Sequence, residues 1–320
     1  MVPVVTAAAG VTAADRIFPF QLDQSGVRGR LVRLGPALDA IVVRHGYPPA
    51  VARALIEAMT LCVALASALK YDGIFTLQIA GEGPVRVITA DVTSQGALRG
   101  YASWDKHRLA AALGGDASAD APASYVPRLF GAGTLAFTVD QDQGVERYQG
   151  VVPLEGATLA DCAHLYFRQS EQLPTGLKLA VERGASGWRA AVLLLQQMPA
   201  LDAGRREVDL DQREDDWRRA VIMMASAREA ELLGPVPTDA ALVHRLFHED
   251  RPRGFESRPI EARCRCTTDR IDRVLRTLGR EQLQSLRDER GLISVNCEFC
   301  SRVYDYDDAA IARLYADPAD

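Results

Sequence analysis

The chain has 320 residues, about twice the usual single-domain length, so two or three structural units are expected. Its composition, 48% hydrophobic and 25% charged, is ordinary for a globular protein, and 37 basic against 42 acidic residues (net −5) argue against a main task of gripping polyanions. The longest charge-free apolar run, residues 58 to 69, falls short of the ~20 residues of a bilayer span, and Met1 to Ala14 lack a basic n-region, so a cytoplasmic protein without membrane contact is expected.

Pro48-Pro49 opens a helix in which Val51, Leu55, Met59, Cys62, Leu65 and Leu69 recur at helical spacing. Phe75, Leu77 and Ile79 then alternate with Thr76 and Gln78, as in a half-buried strand. After the turn Gly81-Glu82-Gly83-Pro84 a second strand runs from Val85 to Ala90. Thr134 to Val139 and Tyr148 to Val152 flank the polar turn Asp140 to Gly144, as in a hairpin. Leu159 to Gln172 and Trp188 to Met198 read as helices. Strands joined by short turns favour an antiparallel-sheet α+β core over residues 1–200 to a doubly wound domain.

Residues 201–257 read as a helical linker. A stretch rich in Asp, Arg and Glu leads into a helix bearing Trp217, Val221, Ile222, Met223, Met224, Leu232 and Leu233, ended by Gly234-Pro235. A second helix covers Ala240 to His248. The stripe Trp217, Val221, Met224 and Ala225, widened by Ile222 and Met223, is usually a core-facing surface, yet Met-rich surfaces also suit promiscuous binding.

Residues 258–320 form a small third unit. Thr267 or Thr268 can N-cap a helix carrying Ile271, Val274, Leu275 and Leu278, with Gly279 placed to end it. A short helix through Leu283 and Leu286 precedes a strand, Leu292 to Val295. That core is thin, and units this small often need a metal or disulfides to fold.

Four of the six cysteines crowd into this unit. Cys264 and Cys266 form a C-x-C; after a spacer of residues 267 to 296, Cys297 and Cys300 form a C-x-x-C. Two close pairs read first as a metal site, and four thiolates suit one tetrahedral Zn2+ per chain. Arg263 and Arg265 flank the first pair and are expected to lower thiol pKa values in the metal-free form. Spacing leaves open whether the zinc is a static staple or a switch, since each pair is close enough in sequence to close its own disulfide.

Other motifs carry less. Gly131 to Ala136 formally fits G-x-G-x-x-A but leads into a strand, so it reads as a turn. His244 and His248 stand i, i+4 without H-E-x-x-H and read as helix surface, and Ser170-Glu171-Gln172 lacks a partner base. No catalytic constellation emerges, and the protein is not expected to be an enzyme. A C-x-x-C oxidoreductase would need a βαβ setting that is missing. Eleven Arg against seven acids over residues 251 to 290 are balanced by two Arg against six acids over 291 to 320, which makes nucleic acid an unexpected partner. A zinc-ribbon RNA binder with a static structural zinc is the alternative reading.

The chain resembles the redox-regulated 33 kDa heat-shock protein family. The C-x-C, its spacer and Cys297-Glu298-Phe299-Cys300 carry the likeness, with Arg270, Leu275 and Leu278-Gly279 between them. Leu69 to Gly73, Leu77-Gln78-Ile79, Gly96 to Tyr101, Tyr148 to Val152 and Tyr166 to Thr175 extend it from about Phe18 to Tyr306. The resemblance implies an ATP-independent holdase for unfolding client proteins, inactive when reduced and zinc-bound. It implies zinc ligation by Cys264, Cys266, Cys297 and Cys300, and oxidation to Cys264–Cys266 and Cys297–Cys300 disulfides with zinc release. Unfolding of the module and linker and homodimer formation would follow. Trp217, Val221, Ile222, Met223 and Met224 are then the candidate client-binding surface.

Overall fold

A computed structural model describes residues 15–116, 123–141, 147–167, 173–199 and 210–316. Contacts divide the chain into two units, Met1–Ala262 and Arg263–Asp320. The first unit is an α+β fold of two sheets. Its elements run β1 (Arg16–Leu22), β2 (Val27–Leu34), α1 (Pro36–Val42), α2 (Pro49–Ala68), β3 (Gly73–Gly81), β4 (Val85–Thr93) and β5 (Ala97–Trp104). There follow α3 (Lys106–Ala112), α4 (Val126–Phe130), β6 (Gly133–Gln141), β7 (Tyr148–Pro153), α5 (Leu159–Tyr166), β8 (Thr175–Gly184) and β9 (Gly187–Gln197). Then come α6 (Leu210–Ala225), α7 (Glu229–Leu233), α8 (Asp239–Phe247) and the short strands β10 (Pro252–Gly254), β11 (Arg258–Pro259) and β12 (Glu261–Ala262).

One sheet has the order β10-β1-β2-β9-β8, with β11 also on β1; the other has the order β12-β5-β4-β3-β6-β7. Every pairing is antiparallel except β12 on β5. The helix α2 lies in the core that both sheets line, where Leu55, Met59 and Cys62 join Val32 and Leu194 of one sheet and Leu77 and Ile88 of the other. Its length and hydropathy would suit a membrane span, but 94% of that window is buried inside the fold.

The opposite face of the first sheet is covered by the linker helices. Phe18, Phe20, Leu31, Leu193 and Leu195 pack there with Ala220, Met224, Leu232, Leu246 and Phe247. Phe20 stacks on Phe247 with ring centroids 5.8 Å apart and lies over Gly29, its partner on β2, where any Cβ would collide with the ring. Polar ties reinforce the cover: the buried Asp239 of α8 pairs with Arg16 of β1 and Arg33 of β2, and Arg219 of α6 pairs with the buried Asp250.

Three expectations are corrected. Residues 188–198 are not a helix but most of β9. Ala190, Val192 and Leu194 face the α2 core and Ala191, Leu193 and Leu195 face the linker helices, so a strand buried on both sides reads as an unbroken apolar run. The helix expected through Leu233 breaks after Ala225, where Lys178 Nζ takes the Ala225 carbonyl, Ser226 Oγ takes that of Met223, and Arg228 N donates to the Glu231 carboxylate that starts α7. Ala225 is exposed, and Ala220 takes its place in the buried stripe. Of the expected turn Asp140 to Gly144, Asp140 and Gln141 end β6 and residues 142–144 lie outside the described residues, as do residues 168–172, residues 201–209 and Met1 to Ala14.

Candidate metal centre

The second unit is built from α9 (Thr268–Arg276), α10 (Arg280–Ser285), β13 (Ile293–Asn296), β14 (Val303–Tyr306) and α11 (Asp308–Ala316). Thr267 caps α9, its Oγ1 accepting from Arg270 N at 3.3 Å. Gly279 does not end α9 as a left-handed cap. It has φ −68° and stands at the start of α10, while α9 closes through the Thr277 and Leu278 amides. The buried core is Leu275, Leu283, Ile293, Tyr306 and Leu314, with Ile271 and Leu278 partly buried against it; Val274, expected inside, is 59% exposed. Tyr306 Oη donates to Asp272 at 2.6 Å and so ties β14 to α9.

The cysteines come from two segments of this framework. Cys264 and Cys266 precede the Thr267 cap, and Cys297 and Cys300 form the connection between the antiparallel strands β13 and β14. That connection is tight: Cys297 N donates to Arg302 O at 2.9 Å and Ser301 N to Cys297 O at 2.8 Å, with Ser301 in the left-handed region at φ 57°. All four sulfurs lie within 4.8 Å of one another, and the four residues are partly buried free thiols. Close contacts run between the pairs, Cys264 Sγ to Cys297 Sγ at 3.7 Å and Cys266 Sγ to Cys300 Sγ at 3.4 Å. A tetrahedron with metal–sulfur bonds of ~2.3 Å has edges of about 3.8 Å, so the four thiols fit a zinc ion.

The thiols are not equivalent. Burial opposes ionisation of Cys266, but the nearby Tyr304 hydroxyl and the three neighbouring thiols outweigh it and bring its pKa down to about 7. Burial, with hydrogen bonding to Cys266, Cys297 and Cys264, pushes Cys300 up to about 12, and burial also raises Cys297. Of these three, Cys266 therefore ionises most readily, while Cys297 and Cys300 hold their protons until a cation replaces them. The largest causes of the downward shift at Cys266 are Tyr304 and the neighbouring thiols. Arg302 interacts favourably with Cys266, Cys300 and Tyr304. Sequence reading passed over Tyr304 and Arg302; their nearness to Cys300 was the available signal.

The other singled-out residues lie in the first unit. On α6, Trp217 and Val221 are partly buried and Met224 fully so against the sheet, while Ile222 and Met223 are exposed. Cys62 and Cys162 are buried in the core. His244 and His248 are exposed with ring centroids 6.1 Å apart. Among the described residues the four-cysteine group is the one cluster suited to a metal.

A family profile described as Hsp33 protein matches residues 15–307. A protein named 33 kDa chaperonin from Caulobacter vibrioides is 39% identical over 297 residues, covering 92% of this chain and 95% of that protein. One of the same name from Nitrosococcus oceani is 33% identical over 303 residues, covering 95% of each. The crystal structure of the 33 kDa chaperonin from Thermotoga maritima superposes with a TM-score of 0.76 at 21% identity, covering 94% of this chain and 97% of that one, which shows a shared fold. With the profile spanning both units and the cysteine cluster within it, this chain belongs to the Hsp33 family.

Proposed function

We propose that the protein is a redox-regulated, ATP-independent holdase of the cytoplasm whose four-cysteine unit is the sensor. The observation that carries this reading is four converging thiols, one readily ionised, in a unit whose apolar core is too small to stand alone. Cys264, Cys266, Cys297 and Cys300 would hold Zn2+, which when bound cross-links the start of α9 to the β13–β14 turn. Tyr304 Oη and Arg302 steady the sulfur charge from β14.

Oxidation would remove two electrons from each zinc-bound thiolate pair; peroxide or hypochlorite accepts them together with protons from solvent, leaving Cys264–Cys266 and Cys297–Cys300 disulfides and free Zn2+. The four sulfurs then no longer hold the ion, and the unit loses the folding free energy that binding supplied. Chain continuity from Arg263 back through β12, β11 and β10 carries the loosening to the linker. Release of α6–α8 would bare Trp217, Val221 and Met224, beside the exposed Ile222 and Met223, together with the sheet face of Phe18, Phe20 and Leu193. Unfolding clients bind that apolar surface, and the same surface supports a homodimer of the oxidised form. Binding, not catalysis, is the activity.

The test follows zinc release and suppression of aggregation of a thermally unfolding client, before and after hypochlorite or warm peroxide. One zinc lost per chain together with activity that a reductant reverses is the expected result. Zinc that stays, or leaves without any such activity, sinks the proposal and favours a static zinc-ribbon RNA binder.

A further inference from the structure

A cavity of about 730 Å3 opens in the first unit at the end of α2, walled by β1, β2, the turn after β4 and residues of the 255–260 segment. That size suits a small-molecule ligand. Arg28, Arg30, Lys70 and Arg258 line it, and no Asp or Glu does. Elsewhere in this unit Arg16, Arg33, Arg99 and Arg219 each face a carboxylate. None of the four cavity cations forms an ion pair with a described residue. The carboxylate of Asp72 accepts from the cavity residue Ser94 at 3.0 Å but does not line the wall.

Strand geometry explains the convergence. Arg28 and Arg30 alternate on β2 with Val32, on the face turned to the α2 core. Arg258 of β11 sits opposite Ile17, which itself pairs with Val32, so it shares that face. Arg30 Nε donates to Ser67 O at 3.2 Å and Nη1 to Gly29 O at 2.8 Å, both neutral carbonyls, while its Nη2 donors make no hydrogen bond to a described residue. Burial, followed by the charges of Arg258 and Arg28, pulls the Arg30 guanidinium down to about 10. A cation disfavoured by burial and by two like charges is where an incoming anion gains most.

We propose that this cavity binds a small phosphate-bearing anion through Arg28, Arg30 and Arg258. Planar guanidinium forks match phosphate oxygens bidentately, and the doubly charged group neutralises more of the four cations than a single carboxylate would. Gln21 and Gln95 add amides, and Tyr71 and Phe255 add aromatic walls, which a nucleoside phosphate would use and inorganic pyrophosphate would not.

The experiment is calorimetric titration of the reduced full-length protein with pyrophosphate, ADP and adenosine. Saturable 1:1 binding of the phosphates, weakened about tenfold by Arg258→Ala and by Arg30→Ala, is expected, with Arg44→Ala, outside the cavity, unchanged. Tighter binding of ADP than of pyrophosphate assigns the nucleoside source; equal binding assigns the phosphate alone. Arg258 is exposed on a short edge strand, so its variant decides the matter should Arg30→Ala fail to fold. Absence of saturable binding overturns the proposal. So does adenosine binding as well as ADP, or Arg44→Ala weakening binding as much as Arg258→Ala.

Discussion

In the first unit, Leu55, Leu77 and Leu194 belong to one large apolar cluster and Phe20, Leu193 and Phe247 to a second across the same sheet. The second unit buries Leu275, Leu283, Ile293, Tyr306 and Leu314 and brings four thiols together. The first unit is held by apolar area. On the proposed reading the second leans on a metal cross-link whose ligands can be oxidised, so the oxidant sensor would sit where the apolar core is smallest. The linker helices belong to the first unit by contact and cover one sheet face through the Phe20–Phe247 cluster and a few ion pairs.

Several changes would break or sharpen this contrast. Removing the metal with a strong chelator, or replacing Cys297 by Ser, should have the largest effect, since structural zinc supplies on the order of 10 kcal/mol of folding free energy. Amide exchange should show the second unit open throughout while α2 and its flanking strands stay protected; protection that survives in both would refute the division. Phe20→Ala should cost the first unit about 3–5 kcal/mol by emptying the site between β1 and α8, lowering its melting temperature without altering zinc content. Asp239→Ala leaves Arg16 and Arg33 without their shared carboxylate and should cost about 3 kcal/mol. It should also give the reduced protein measurable anti-aggregation activity, and a reduced Asp239→Ala protein as silent as wild type would separate linker release from function.

A smaller effect concerns Glu57 of α2. Burial raises its pKa above the usual carboxylate range, against the bonds it accepts from Tyr125 and Arg53. The folded state therefore keeps this proton to higher pH than the unfolded chain does, and stability from this group declines as pH rises from about 4.5 through the raised value. Glu57→Gln should flatten that decline, by on the order of 1 kcal/mol per pH unit of the upward shift, in melting curves taken between pH 4 and 8. The smallest structural effect belongs to Ile222→Ser on the exposed side of α6, expected within about 0.5 kcal/mol of wild type. Its value lies in function: weaker client capture by the oxidised protein would place clients on the linker, and unchanged capture would place them on the uncovered sheet.

Local chemistry written in contiguous residues was legible from sequence: the Pro-started helix α2, the alternating strands β3, β4, β6 and β7, the Thr267 cap, and the two cysteine pairs. Each depends on neighbours a few positions apart, which periodicity and spacing report directly. What depends on burial from two sides or on distant partners was not legible. The run from Trp188 to Leu195 became a strand because apolar layers meet it on both faces. α6 ended at Ala225 in part because Lys178, far away in sequence, supplies a cap, and Cys266 gained its acidity from Tyr304 of β14 and the other three thiols. The pairing of Asp239 with Arg16 and Arg33, and the meeting of Arg28, Arg30 and Arg258 at one cavity, likewise exist only once β1, β2, α8 and β11 have come together. Sequence by itself determined which residues could ligate metal and which segments were amphipathic. Tertiary structure alone decided which charges are compensated, because compensation depends on distance in space and not on order along the chain.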